Sequence, residues 1–265
     1  MINVSSPGSP RWLDLGAPDV AASAAFYSAV LGWEHRPTGE GRDVYGLFLK
    51  EGRKVAAIGP LTEEGARSAW TLYFDTPDAE AAARTVERAG GTVRVAPVDT
   101  GDMGRMAHVT DPQGAEFALW QPGSEPGLER VNQPGSLYWT ELYTPDAAAA
   151  KEFYGALFGW TTSDTPLPDD AGVYSLIAPA GAREDSMHGG ITQLAPEHLA
   201  RTGGRAYWHP VFAVLDCDGT VARITEEGGT LLMGPEDAEG VGRLAVCLDP
   251  SDAEFVVLAP SAIWI

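Results

Sequence analysis

Apolar positions along this chain change period in a regular way. WLDLG, residues 12–16, alternates and reads as a short strand; Pro18 and Asp19 then open a helix. Proline is tolerated in a first helical turn, and a carboxylate suits the positive end of the helix dipole. Val20, Phe26, Tyr27, Val30 and Leu31 give that helix an apolar stripe, and Gly32 is placed to cap it. Three short strands are predicted next, at 33–36, 44–49 and 55–58. The scheme then restarts, with WTLYFDT as a strand and PDAEAAARTVERAGG as a helix stopped by glycines. Strands near 92–95, 107–109 and 116–120 complete this second unit, the last two joined by a DPQG turn.

The whole scheme occurs twice. WLDLGAPDVAASAAFYSAVLGW at 12–33 matches WTELYTPDAAAAKEFYGALFGW at 139–160 in 11 of 22 positions. RMAHVTDPQGAEFALWQP at 105–122 matches RLAVCLDPSDAEFVVLAP at 243–260 in 8 of 18. The offset grows from 127 to 138, so the second copy carries 11 additional residues, assigned to the polar stretches around PLPDDAG and PAGAREDSMHGG. QPGSEPGLERVNQPGS joins the copies, rich in Pro, Gly and Ser and without an apolar period. The expected division is a first domain at 1–124, a linker at 125–135 and a second domain at 136–265.

Strand, then PD, then a helix carrying FY and LGW or FGW, then a closing DPxGAxFxLW strand: this ordered set resembles the glyoxalase/bleomycin-resistance/extradiol-dioxygenase (vicinal oxygen chelate) superfamily. The resemblance covers nearly the whole chain, twice. It implies an α+β fold of two tandem glyoxalase-like domains. Each would hold two βαβββ modules forming an open eight-stranded barrel with the site on its concave inner face.

Composition removes several other classes. A net charge of -19 would repel nucleic acid and anionic membranes. No run reaches the roughly 18 apolar residues of a membrane span. The start, MINVSSPGSPRW, has no basic region followed by an apolar stretch, so the protein is expected to be cytoplasmic. Cys217 and Cys247 suit reduced, buried thiols. No GxSxG, CxxC, HExxH or phosphate-cradling glycine motif is present.

Strand alternation sorts inner from outer residues. Leu13 and Leu15 should face the helix, leaving Trp12 and Asp14 inside; Trp70, Leu72 and Phe74 likewise leave Thr71 and Tyr73 inside. On EFALW, Glu116, Ala118 and Trp120 point inward. The second copy places Trp139, Glu141 and Tyr143, then His209 and Val211, then Glu254 and Val256, on its inner face.

The resemblance implies metal-ligand positions at residues 12, 71 and 118 in one copy and 139, 209 and 256 in the other. Those hold Trp12, Thr71, Ala118, Trp139, His209 and Val256, of which His209 alone is a usual ligand. A displaced site built from Glu141, His209 and Glu254 would suit iron, manganese or zinc. Asp14 and Glu116 repeat the carboxylate pair in the first copy without a histidine, which favours a structural or ligand-orienting role. His35, His108, His188 and His198 read as surface or packing residues, and so do Trp33, Trp70, Trp160 and Trp208 as fillers.

Two functions remain. The first is a small-molecule-binding protein of the bleomycin-resistance type, with no metal, holding a planar aromatic metabolite or antibiotic. Its contacts would be Trp12, Asp14, Tyr73, Glu116, Trp120, Trp139, Glu141, His209 and Glu254. The second is a metal-dependent lyase, isomerase or oxygenase, of the kind that hydroxylates natural products, using Glu141, His209 and Glu254. For a scaffold that only associates with proteins, no sequence feature speaks.

Overall fold

In this computed structural model, residues 1–41, 44–61, 65–167, 172–181 and 186–261 are described. The additional residues of the second copy fall partly on 168–171 and 182–185, outside the described residues. The first copy runs β1 (Pro10–Ala17), α1 (Val20–Leu31), β2 (Glu34–Pro37), β3 (Gly46–Lys50), β4 (Arg53–Pro60), β5 (Ala69–Asp75), α2 (Ala79–Arg88), β6 (Thr92–Asp99), β7 (Gly104–Thr110) and β8 (Glu116–Pro122). The second runs β9 (Leu137–Thr144), α3 (Ala147–Phe158), β10 (Thr161–Pro166), β11 (Val173–Ala178), β12 (Gly189–Gln193), β13 (Tyr207–Ala213), α4 (Cys217–Glu226), β14 (Thr230–Ala238), β15 (Gly242–Leu248) and β16 (Glu254–Pro260). A 3-10 turn at Pro196–Thr202 precedes β13.

Each copy makes one open, mixed sheet of eight strands, in the orders β2-β3-β4-β1-β5-β8-β7-β6 and β10-β11-β12-β9-β13-β16-β15-β14. The closing strand of each module lies parallel to its first strand, and the others form antiparallel hairpins. This is the α+β, twice-repeated βαβββ arrangement that the sequence predicts.

The helix starts follow from one residue type. Asp19, Asp78, Asp146 and Asp216 are extended N-caps whose carboxylates accept from the amides of Ala22, Ala81, Ala149 and Gly219. Such a cap contributes about 1 kcal/mol. Gly32 and Gly159 end α1 and α3 at φ of 67° and 69°, left-handed values that a Cβ disfavours.

The chain forms two compact units, and each draws on both copies. One holds residues 13–71, 128–138 and 209–265; the other holds 1–12, 72–127 and 139–208. In the first, Tyr27 of α1 is fully buried. Its hydroxyl donates to Asp249 Oδ2 at 3.2 Å and accepts from Trp70 Nε1 at 3.0 Å. Trp33 stacks on the same ring at 5.6 Å and 18°, and its own Nε1 donates to the Gly135 carbonyl at 2.8 Å. The second unit repeats this with Tyr154: its hydroxyl donates to Asp111 Oδ2 at 3.1 Å, Trp208 Nε1 donates to it at 2.8 Å, and Trp160 stacks at 5.1 Å.

Both aspartates also hold their own turns. Asp249 Oδ1 accepts from Ser251 and Ala253, and Asp111 Oδ1 from Gln113 and Ala115. The four tryptophans expected as fillers therefore pack around the helix tyrosines. Burial, and then the neighbouring carboxylate, pushes each phenol well above its ordinary pKa, so both remain donors.

The linker between the copies is fastened. Glu129 and Arg130 amides donate to the Lys54 carbonyl, Arg130 pairs with Glu51 at 2.8 Å, and Leu128 is buried. Cys217 and Cys247 are free and buried, and burial pushes their thiols up to about 11 and about 12.

Two outcomes are expected. Tyr27→Phe or Tyr154→Phe leaves an indole N–H and a carboxylate oxygen without their buried partner, so urea unfolding should show a loss of about 1–3 kcal/mol. Fragments 1–124 and 136–265 would each keep a whole sheet but only half of each aromatic core. Alone they should lack the intact chain's cooperative urea transition; two steep, independent transitions would show that each copy is self-sufficient.

Candidate functional site

The inner strand faces are defined by what the helix faces bury. Leu13, Leu15, Leu72, Phe74, Phe117 and Leu119 are fully buried on the helix side, so the residues between them stand on the opposite face. In the unit containing β7 and β8, three side chains with polar atoms gather there. Tyr73 meets His108 edge-on at 5.7 Å and Trp120 at 6.4 Å. Ala118 is the register partner of both Tyr73 and His108, so a methyl group forms the floor between them. Trp120 is 7% exposed, yet its Nε1 has no hydrogen-bond partner among the described residues. Trp12 is buried on β1.

The carboxylates of the expected site have particular partners. Tyr45 Oη donates to Asp14 Oδ1 at 2.8 Å. In the other copy Tyr174 Oη donates to Glu141 Oε1 at 2.9 Å, and Trp139 Nε1 donates to Tyr174 Oη at 2.8 Å. Tyr143 Oη lies 3.5 Å from the second Glu141 oxygen, and its ring meets Tyr207 edge-on at 5.6 Å. Gly190 makes room for this group, since a Cβ there would fall 2.1 Å from the Tyr174 hydroxyl. Burial first, then Glu141, raises the Tyr174 phenol well above its usual value. Glu116, by contrast, sits half exposed at the start of β8 and pairs with Arg94 at 2.7 Å.

Of the three residues proposed for a displaced metal site, two come together. His209 Nδ1 lies 3.3 Å from Glu254 Oε1, with side-chain exposures of 1% and 12%. Among the described residues, no three His, Cys, Asp or Glu side chains are grouped to hold a metal ion. At the positions that bind metal in the resembling family, Trp12, Thr71, Ala118, Trp139 and Val256 offer neither imidazole nor carboxylate. The donor set does not fit that metal centre.

Tyr45, Tyr174 and His108 were not among the expected site residues. The first two carried a signal, since VYGL at 44–47 and VYSL at 173–176 are a further repeat match. Two surface grooves lie away from the inner-face residues. One, of about 640 Å³, is lined by Val30, Lys50, Arg130, Leu215 and Thr220; the other, of about 630 Å³, by Thr85, Arg88, Pro112, Glu152 and Phe153. No described helix is long and apolar enough to cross a membrane.

Comparison with known proteins gives consistent matches. Residues 10–119 match the family described as the Glyoxalase/Bleomycin resistance protein/Dioxygenase superfamily, and residues 139–258 match the Glyoxalase-like domain. The chain is 40% identical to the anthracycline biosynthesis protein DnrV of Streptomyces peucetius, covering 96% of this chain and 94% of that one. It is 36% identical to the putative glyoxylase CFP32 of Mycobacterium tuberculosis, covering 96% and 95%. Among solved structures, the 2,3-dioxygenase LapB from Pseudomonas sp. KL28 superposes with a TM-score of 0.64 at 14% identity, covering 97% of this chain and 94% of that one. The Mn(II)-bound glyoxalase from Novosphingobium aromaticivorans gives a TM-score of 0.63 at 20% identity, covering 97% and 89%.

His188 makes a prediction of its own. It is fully buried against Trp160, neither ring nitrogen has a hydrogen-bond partner among the described residues, and burial lowers its pKa to about 3. A histidine held neutral in the fold stabilises it fully above pH 6.5, the ordinary value, and that stability is lost as pH falls from there towards 3. Urea midpoints taken at pH 7 and pH 4 should drop for the native chain and drop less for His188→Leu. Equal drops would show that His188 does not carry the acid sensitivity.

Proposed function

Because the chain belongs to the glyoxalase/bleomycin resistance protein/dioxygenase superfamily, we propose that it binds a small planar aromatic molecule against the inner strand face of its first sheet. The observation that carries this reading is the grouping of Tyr73, His108 and Trp120 around Ala118, with Trp12 on β1 of the same compact unit. Aromatic rings stack on such surfaces with about 0.5–1.5 kcal/mol per pair beyond burial. Tryptophan at the first-strand position of both copies, Trp12 and Trp139, exchanges a metal contact for a flat apolar surface. One relative is named for anthracycline biosynthesis.

A metal-dependent lyase, isomerase or oxygenase is the second reading, favoured by the buried His209–Glu254 pair. It needs a third ligand that the described residues do not bring to that pair. One equivalent of iron, manganese or zinc in protein purified without chelators, lost in His209→Ala, would support it.

Binding is tested by tryptophan fluorescence. Planar quinones, polyketides or phenolics should quench saturably, and Trp12→Ala or Tyr73→Ala should weaken binding about 10-fold through lost stacking and burial. Lower stability with unchanged affinity would make both residues mere packing. No saturable quenching by any compound of the panel would overturn the proposal.

A further inference from the structure

One buried donor in the first copy is left without an acceptor. Trp120 is more than nine-tenths buried, and its Nε1 has no partner among the described residues. Leaving a buried N–H unsatisfied costs free energy, so native interiors rarely do it. Its neighbours do not explain it as packing. Phe117 and Leu119 fill the opposite, helix face of β8, while Trp120 shares the inner face with Tyr73 and His108. The ring is also held in place: a Cβ on Gly104 would come within 2.8 Å of Trp120 Cζ2, so the neighbouring strand closes directly against it.

The second copy supplies the contrast. The positions matching Tyr73, His108 and Trp120 at the offset of 138 are Val211, Val246 and Leu258. All three are buried, and none carries a polar side-chain atom to satisfy. The same strands thus form an apolar face well without any indole or imidazole. Three polar aromatic residues in the first copy are a departure from what the fold requires.

That face also has an open side. Val95 is the register partner of His108, and Val98 of Met106, and these two valines on edge strand β6 are 37% and 44% exposed. An apolar rim at solvent therefore runs directly into the aromatic group.

Resting on the binding reading above, we infer that the ligand carries a hydrogen-bond acceptor, a ring carbonyl or phenolic oxygen, that receives the Trp120 Nε1 proton. The ligand's flat face lies along the Tyr73–His108 side over Ala118. A planar hydrocarbon of the same shape would stack equally well but leave the indole N–H unsatisfied. The binding face therefore discriminates by oxygen as well as by shape, and it does so in the first copy only.

The test uses the full chain with 9-fluorenone and fluorene, planar molecules that differ by one carbonyl oxygen. Fluorenone should bind the native chain about 10-fold more tightly, the ratio expected for satisfying one buried donor. Trp120→Phe keeps an aromatic ring and removes the N–H, so it should bind both probes with similar affinity, close to that of fluorene for the native chain. In 15N–1H spectra, the indole cross-peak missing from Trp120→Phe should move downfield with fluorenone and not with fluorene. Equal affinities of the native chain for the two probes would overturn the inference and leave aromatic binding standing. A fluorenone preference that persists in Trp120→Phe would also overturn it, placing the donor elsewhere. Binding of neither probe would overturn the inference together with the reading beneath it.

Discussion

A tyrosine hydroxyl held between an indole N–H and an aspartate is the constraint on which the structure turns. Tyr27 and Tyr154 are wholly buried, and each both accepts and donates a hydrogen bond in an interior where either partner alone would be costly. The tyrosine comes from the first helix of one copy and the aspartate from the closing turn of the other. The tandem repeat is therefore interlocked: each aromatic core is completed by both copies. Because the helix faces carry this burden, the inner strand faces are released from it, and there the two copies diverge.

Much of this was legible in the chain. The change from alternation to helical period set the strands and helices, and the aspartate before each helix supplied its cap, because both effects are local. Alternation also assigned Trp12, Tyr73, Trp120, Trp139, Glu141, His209 and Glu254 to the inner faces of their strands. Which apolar faces meet was not legible, since a helix stripe reports that it is buried and not against what. Tyr27 with Asp249 is separated by 222 residues, and either pairing of modules would satisfy the same pattern. Tyr45 and Tyr174 read as ordinary strand residues until folding set them beside Asp14 and Glu141. Face assignment cannot measure distance along a face, and of Glu141, His209 and Glu254 the pair in contact is His209 with Glu254. Glu116, the first residue of β8, pairs with Arg94 near solvent, a partner that alternation does not reveal.

The divergence of the inner faces carries the functional argument. Where the fold needs only buried apolar volume, the second copy supplies Val211, Val246 and Leu258; the first copy puts polar aromatic groups at the same places. Two grooves lie on the helix sides, where Lys50, Arg130 and Glu152 line them together with apolar residues. The proposed site rests instead on the aromatic surface and the unsatisfied donor of the strand face. A crystal structure of the protein with a planar aromatic ligand decides between these. The ligand should lie on the inner face of β5, β7 and β8, in contact with Tyr73 and Trp120. Density for it only in the grooves beside α1 and α4, or α2 and α3, would contradict the account.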